Sequence, residues 1–152
     1  MVDDPDRTKP TGMARYAKEF REAADAADKV LGHKPGFEIM APIPVLYLIG
    51  HSMELSLKAY LLHQGVTLNE LRKTYGHNLR KCMKKSKELG ILSILKIDEH
   101  EESAFAVLDE LYSTKQLEYI VTGAKTFPIY GYLHTLSTKL LEGVGPYVGY
   151  KH

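Results

Sequence analysis

The segment from Pro44 to Gln64 constrains the fold most strongly, because as a helix it is apolar around most of its circumference. Its large apolar residues are Val45, Leu46, Leu48, Ile49, Met53, Leu55, Leu57, Leu61 and Leu62. A helix that is hydrophobic on nearly all sides is stable in water only when other elements surround it. We therefore predict that this segment is the central helix of a bundle.

The segments on either side have the periodicity of amphipathic helices. Further helices are predicted over about 11–31, over 78–89, after Asp98 and from Thr126 to about 142, with a short helical turn over 67–73. Glycines 32, 65, 90 and 143 follow four of the five long helices, as expected at helix ends. No segment alternates apolar and polar residues, so the predicted fold class is all-α, an up-and-down bundle of four to five helices.

Length and composition predict a single domain. A chain of 152 residues is of ordinary one-domain size. Residues 1–10, rich in Asp and Pro, are predicted to be a flexible leader, 11–142 the helical bundle and 143–152 a C-terminal tail. The single cysteine, Cys82, lies on an apolar stripe, and no apolar run has the length and flanks of a membrane span. We expect a cytoplasmic protein without a membrane partner.

The charge of the chain is unevenly distributed. The net charge is only +1, yet residues 72–87 contain seven Lys and Arg side chains and no acidic one. Acidic residues are concentrated later, over 98–110, and balance this basic run. A local basic cluster of this kind predicts an anionic ligand, although many such clusters are simply solvated helix faces.

Two common kinds of site receive no support from the sequence. Di-iron helical bundles use Glu-x-x-His on two helices, whereas His51-x-x-Glu54 has the reverse order and occurs once. We expect this pair to be hydrogen-bonded within the core. The chain also has no G-x-x-x-x-G-K-[ST] phosphate loop, and Gly143-Val-Gly145 has no preceding strand. No metal and no cofactor are therefore predicted.

Arg72 and His77 form the one pair that suggests phosphodiester chemistry. An arginine binds a phosphate through two parallel hydrogen bonds. A histidine near neutral pH exchanges a proton with a ribose hydroxyl or a leaving oxygen. Together they could cleave RNA without a metal, provided that both reach the same phosphate.

A simpler interpretation of the same residues needs no ligand. Arg72 would be a solvated side chain on a short helix, and Gly76 would form a turn. His77 or Asn78 would then cap the following helix. The spacing of Arg72 and His77 alone does not separate these alternatives.

The order of these motifs resembles the HEPN superfamily (higher eukaryotes and prokaryotes nucleotide-binding domains). The similar segments are Glu54 to Leu62 (ELSLKAYLL), Tyr75 to Leu79 (YGHNL), Leu117-Glu118-Tyr119 and a final helix after Pro128. The similarity covers about residues 11–142. It implies an up-and-down helical bundle that forms a homodimer.

The resemblance also implies a range of activities. Many HEPN members are metal-independent endoribonucleases of toxin or defence systems, often paired with a nucleotidyltransferase antitoxin, and they carry an R-x(4–6)-H motif that Arg72 and His77 match. By that analogy Arg72 would bind phosphate and His77 would act as acid or base. Arg72, Arg80, Lys81 and Lys84 would contact the RNA or nucleotide phosphates. Other members lack this activity, so a noncatalytic interaction module and a nucleotide sensor remain alternatives.

Overall fold

The computed structural model describes residues 8–38, 40–118 and 126–151, and within these ranges every regular element is helical. The helices are α1 (Pro10–Leu31), α2 (Ile43–His63), α3 (Leu68–Glu70), α4 (Leu79–Glu88), α5 (Glu99–Ser113) and α6 (Tyr130–Tyr147). A π-helical turn, Leu71–Tyr75, follows α3, and a 3₁₀ turn, Ile91–Ser93, follows α4. The all-α prediction is confirmed.

Helix α2 is the centre of the bundle, as its apolar circumference predicts. It packs against α1, α4, α5 and α6. Twelve of its residues are buried, among them Leu46, Ile49, Met53, Leu57 and Leu61, whose side chains have no exposed surface. The hydrophobic core therefore forms around α2.

In the described ranges, no helix is long and apolar enough to cross a membrane.

The predicted boundaries of the first and last helices need correction. Helix α1 already begins at Pro10, while residues 1–7 of the predicted leader lie outside the described residues. Helix α6 begins at Tyr130 rather than Thr126 and continues through Gly143 to Tyr147. A Cβ at Gly143 would lie 3.3 Å from Leu95 Cδ2, so this glycine serves close packing and does not end the helix.

Helix α4 is oriented by its cap and by its apolar stripe. The Asn78 side chain accepts a hydrogen bond from the Lys81 backbone N–H, which is the usual N-cap contact. Its buried residues are Leu79, Cys82, Met83 and Ser86, which form the apolar stripe that contains Cys82. Burial of this stripe leaves the lysines and Arg80 of α4 on the outer side of the helix.

The connector between α2 and α4 turns sharply just before His77. Thr67 caps α3 by accepting a hydrogen bond from the Glu70 N–H. Gly76 then adopts φ +49°, a left-handed conformation that favours glycine, and its N–H donates to the Leu71 carbonyl. The turn at Gly76 and the cap at Asn78 both agree with the simpler interpretation of this segment.

A close approach between α2 and α5 depends on Gly50. The ring of Tyr112 lies against the α2 backbone at this position, and a Cβ on Gly50 would be 2.7 Å from Tyr112 Cδ2 and 3.0 Å from Cε2. These are ring atoms of a buried side chain, so they cannot swing aside freely. Gly50 lies one helical turn before Glu54 on α2. Because Gly50 has no side chain, the ring of Tyr112 can pack against the helix at this point.

Gly50→Ala should destabilise the protein although alanine favours helices more than glycine does. The overpacked ring of Tyr112 should cost about 1–3 kcal/mol of unfolding free energy. The matched control is Gly131→Ala in α6, where an added Cβ meets nothing within 4 Å. This control should lose no stability and gain at most about 1 kcal/mol. Urea unfolding of both variants checks the prediction, and equal stabilities would contradict it.

Candidate functional site

A buried carboxylate on the central helix organises the candidate site. Glu54 has only 2% of its side chain exposed. Its Oε2 accepts a hydrogen bond from Lys58 Nζ at 2.8 Å, and its Oε1 accepts one from the Tyr112 hydroxyl at 2.7 Å. His77 Nδ1 lies 3.1 Å from both oxygens. The carboxylate therefore has partners from α2, α5 and the connector, as a buried charge requires.

These partners keep Glu54 ionised. Burial alone would raise the pKa of the Glu54 carboxyl, but the Lys58 charge and the hydrogen bonds from Lys58, Tyr112 and His77 outweigh it and lower the pKa below its ordinary 4.5. A lowered carboxyl pKa stabilises the folded state above the ordinary value. That contribution is lost as the pH falls below 4.5 and through the folded-state pKa.

His51 extends the cluster towards α1. Its Nδ1 lies 3.1 Å from the Tyr112 hydroxyl oxygen, and its ring meets the Phe20 ring edge-on at a centroid distance of 4.4 Å. Burial lowers the pKa of His51 below its ordinary 6.5, and the attraction of Glu54 offsets this only in part. His51 is therefore neutral at pH 7. The expectation that His51 and Glu54 belong to a hydrogen-bonded core pair is met through Tyr112.

The structure places Arg72 and His77 in different segments of the connector. Arg72 lies in the π-helical turn, and His77 follows Gly76 just before the Asn78 cap, so the two are not on one continuous helix. Both side chains are exposed, and 61% of the His77 side chain is accessible to solvent. His77 contacts the Glu54 carboxylate through its Nδ1. The imidazole is therefore anchored on one side and open on the other.

The structure separates the predicted phosphate contacts of α4 into two groups. Arg80 and Lys84 line a groove of about 520 Å³ between α4 and α5, whereas Lys81 is exposed outside the lining of this groove. In the part of the chain that the structure describes, Lys81 and Lys84 form no ion pair. All three basic side chains are accessible, but their surroundings differ.

The groove between α4 and α5 carries both signs of charge. Its charged lining consists of Arg80, Lys84 and Lys87 from α4 and of Glu102, Asp109 and Glu110 from α5. Lys87 forms an ion pair with Glu102. This wall of acids lowers the positive potential that a phosphate would meet at Arg80 and Lys84, so the groove is a poorer anion site than the sequence predicts.

The N-terminus of α4 is also already occupied. The backbone N–H of Arg80 donates to Asp109 Oδ1 at 3.0 Å, and that of Leu79 donates to the Ser113 hydroxyl at 3.2 Å. The Asn78 Oδ1 accepts a hydrogen bond from the backbone N–H of Lys81. Because these donors are satisfied by the protein, an anion must be bound by side chains of this region rather than by the helix end.

Sequence reasoning missed the centre of this site. The sequence predicts a core pair of His51 and Glu54 and places Lys58 four residues after Glu54, but it does not link Tyr112 or His77 to them. One signal could have found the cluster. A carboxylate in the middle of a helix that is apolar on nearly all sides must have buried partners, and some of them must come from other segments.

Chemically, the arrangement suits proton exchange at the surface of His77 and contacts to phosphate through Arg72 and Lys81. In residues 8–38, 40–118 and 126–151, no group of three or more His, Cys, Asp or Glu side chains could hold a metal ion. Cys82 is fully buried, and burial raises the pKa of its thiol to about 12. In the folded chain Cys82 is therefore part of the apolar core.

Comparisons of this chain with known protein families, with curated proteins and with solved structures find no match. The HEPN resemblance therefore remains an expectation that comes from sequence motifs. What the structure adds is that two of those motifs, Glu54-x-x-x-Lys58 and Gly76-His77, contact each other in the folded chain.

Tyr112→Phe should destabilise the protein, because it removes a hydrogen bond to a buried charge. The expected loss of unfolding free energy is about 1.5–3 kcal/mol. Tyr147→Phe is the control, since the Tyr147 hydroxyl accepts only an exposed hydrogen bond from Gln64. That variant should change stability by less than about 0.5 kcal/mol. Denaturant unfolding at pH 7 measures the stability of both variants. Equal losses of unfolding free energy would show that the hydrogen bond to Glu54 contributes no more than the exposed one.

Proposed function

We propose that this chain is a HEPN-like domain that binds phosphate groups of RNA or of a nucleotide at the connector and at the outer flank of α4. The observation that carries the proposal is the exposed imidazole of His77, held from behind by the buried Glu54 carboxylate. A histidine fixed in this way can meet a ligand without first being ordered. Metal-independent ribonuclease activity is part of the proposal.

The basic side chains around His77 supply the charge that such a ligand requires. Arg72 and Lys73 are exposed in the π-helical turn, and Lys81 is exposed on the first turn of α4. They lie outside the mixed-charge groove, as does Lys85, which forms an ion pair with Glu88. We assign the main phosphate contacts to Arg72 and Lys81, and a weaker role to Arg80 and Lys84.

The remaining expectations of the resemblance belong to this proposal. The functional unit would be a homodimer, in which two copies of Arg72 and His77 face a shared cleft. A nucleotidyltransferase-type antitoxin would be a fitting partner if the protein is a toxin. These features are proposed from the sequence resemblance and from the exposure of both side chains.

One observation favours a second function, that of a noncatalytic interaction module. The groove between α4 and α5 combines three bases, three acids and the apolar side chains of Met83 and Phe105, a composition that suits a protein surface better than a polyanion. In that case the lysines would be solvated helix residues. A nucleotide sensor is the third alternative, and calorimetry with ATP or GTP would separate it from an RNA binder.

Binding to single-stranded RNA should weaken steeply as salt rises, because each phosphate contact releases counterions. Lys81→Ala should lower the affinity and reduce the slope of log K against log salt by about 0.7. Lys84→Ala should have a smaller effect, because acids already surround Lys84. Lys18→Ala on α1 removes the same charge elsewhere and should leave binding unchanged. Fluorescence anisotropy with labelled RNA over a range of NaCl concentrations measures these effects, and salt-insensitive binding would contradict the proposal.

If the domain is catalytic, His77→Ala should abolish RNA cleavage in the presence of EDTA. Its folding free energy should change by no more than about 1 kcal/mol, since the side chain is mostly exposed. His33→Ala, at an exposed histidine after α1, is the control. Gel assays of labelled RNA provide the measurement. Unaltered cleavage would remove His77 from the mechanism, and a wild-type protein that does not cleave would restrict the function to binding.

A further inference from the structure

We propose that Glu54 is a positioning residue for His77, which holds the imidazole in one tautomer with Nδ1 protonated and Nε2 available to a ligand. This inference rests on the proposed function for its purpose, but it makes a physical claim that can be tested without any ligand. It is carried by the contacts around one buried carboxylate.

The hydrogen bonds of the cluster can be ordered by asking which groups are able to donate. An ionised carboxylate accepts and cannot donate. Lys58 Nζ, the Tyr112 hydroxyl and His77 Nδ1 all lie within 3.1 Å of the Glu54 oxygens, so each must direct a hydrogen towards them. Nδ1 of His77 therefore carries a proton. When the imidazole is neutral, its lone pair is on Nε2.

The same reasoning fixes the direction of the bond to His51. The single hydroxyl hydrogen of Tyr112 is directed to Glu54, so its oxygen accepts, and His51 Nδ1 donates to it at 3.1 Å. Every donor around Glu54 thus points inwards. This arrangement leaves the carboxylate no freedom to rotate away from His77 without breaking several bonds at once.

Lys58 links the carboxylate to the backbone that carries His77. Its Nζ donates to Glu54 Oε2 and also to the carbonyl oxygen of Gly76, the residue before His77. Only 12% of the Lys58 side chain is exposed. The turn at Gly76 and the imidazole are therefore both held to α2 through the same two side chains. Position and tautomer of His77 are set together.

The test is the ring ¹⁵N spectrum of His77 at a pH where its imidazole is neutral, with the resonances assigned by their absence in His77→Gln. Wild-type protein should show a protonated Nδ1 and an unprotonated Nε2. Glu54→Gln should weaken this preference, so that the Nε2-protonated form appears. A wild-type His77 that is protonated mainly on Nε2 would overturn the inference.

A second variant guards against loss of folding. Glu54→Gln leaves Lys58 without its anionic partner, whereas Glu54→Leu with Lys58→Met replaces the buried pair by apolar side chains of similar size, which proteins often tolerate. The double variant should show the same change in the His77 spectrum. Tyr147→Phe, which lies outside the cluster, should leave the spectrum as in wild type, and an equal change there would count against a specific role of Glu54.

Failure of this inference can be separated from failure of the proposed function. If His77 has the expected tautomer but His77→Ala neither weakens RNA binding nor stops cleavage, the positioning role stands and the proposed function falls. If RNA binding depends on His77 but the imidazole is Nε2-protonated, the function stands and the positioning role falls. RNA affinity and ring ¹⁵N shifts are measured on the same set of variants.

Discussion

The burial of one carboxylate in the middle of α2 is the constraint on which the rest of this structure depends. Glu54 is surrounded by an otherwise apolar helix, and an unpaired charge there would be too costly for a fold of ordinary stability. Its partners come from α2, α5 and the connector, so satisfying the charge fixes how these three segments meet. Gly50 makes the arrangement possible by giving Tyr112 room beside the helix.

The packing of α4 against α5 decides which side of the basic helix faces outwards as a positive surface. Asp109 binds the backbone at the start of α4, and Glu102 pairs with Lys87 near its end. Since α5 neutralises the flank that it faces, positive charge remains mainly around the connector and Lys81. The lysine-rich segment of the sequence therefore forms a positive surface on only one side of α4.

The sequence was informative where local rules decide the outcome. The central place of α2 follows from its apolar circumference, and the cap at Asn78 follows from its side chain. The Glu54 cluster was not predictable in detail, because Tyr112 is 58 residues away from Glu54 and the helix register that joins them is set by packing. For the same reason Gly143 was taken for a helix end, although its contact with Leu95 lies far away in the chain.

The burial of Cys82 makes its thiol a natural reporter on the basic helix. With its pKa near 12 and no exposed surface, the thiol reacts with an alkylating reagent only when α4 lifts away from α2. Since His77 and Lys81 are joined to the same helix, each labelling event would record a moment at which the candidate site has come apart. When α4 closes faster than the reagent reacts, the rate of alkylation reports the free energy of this opening.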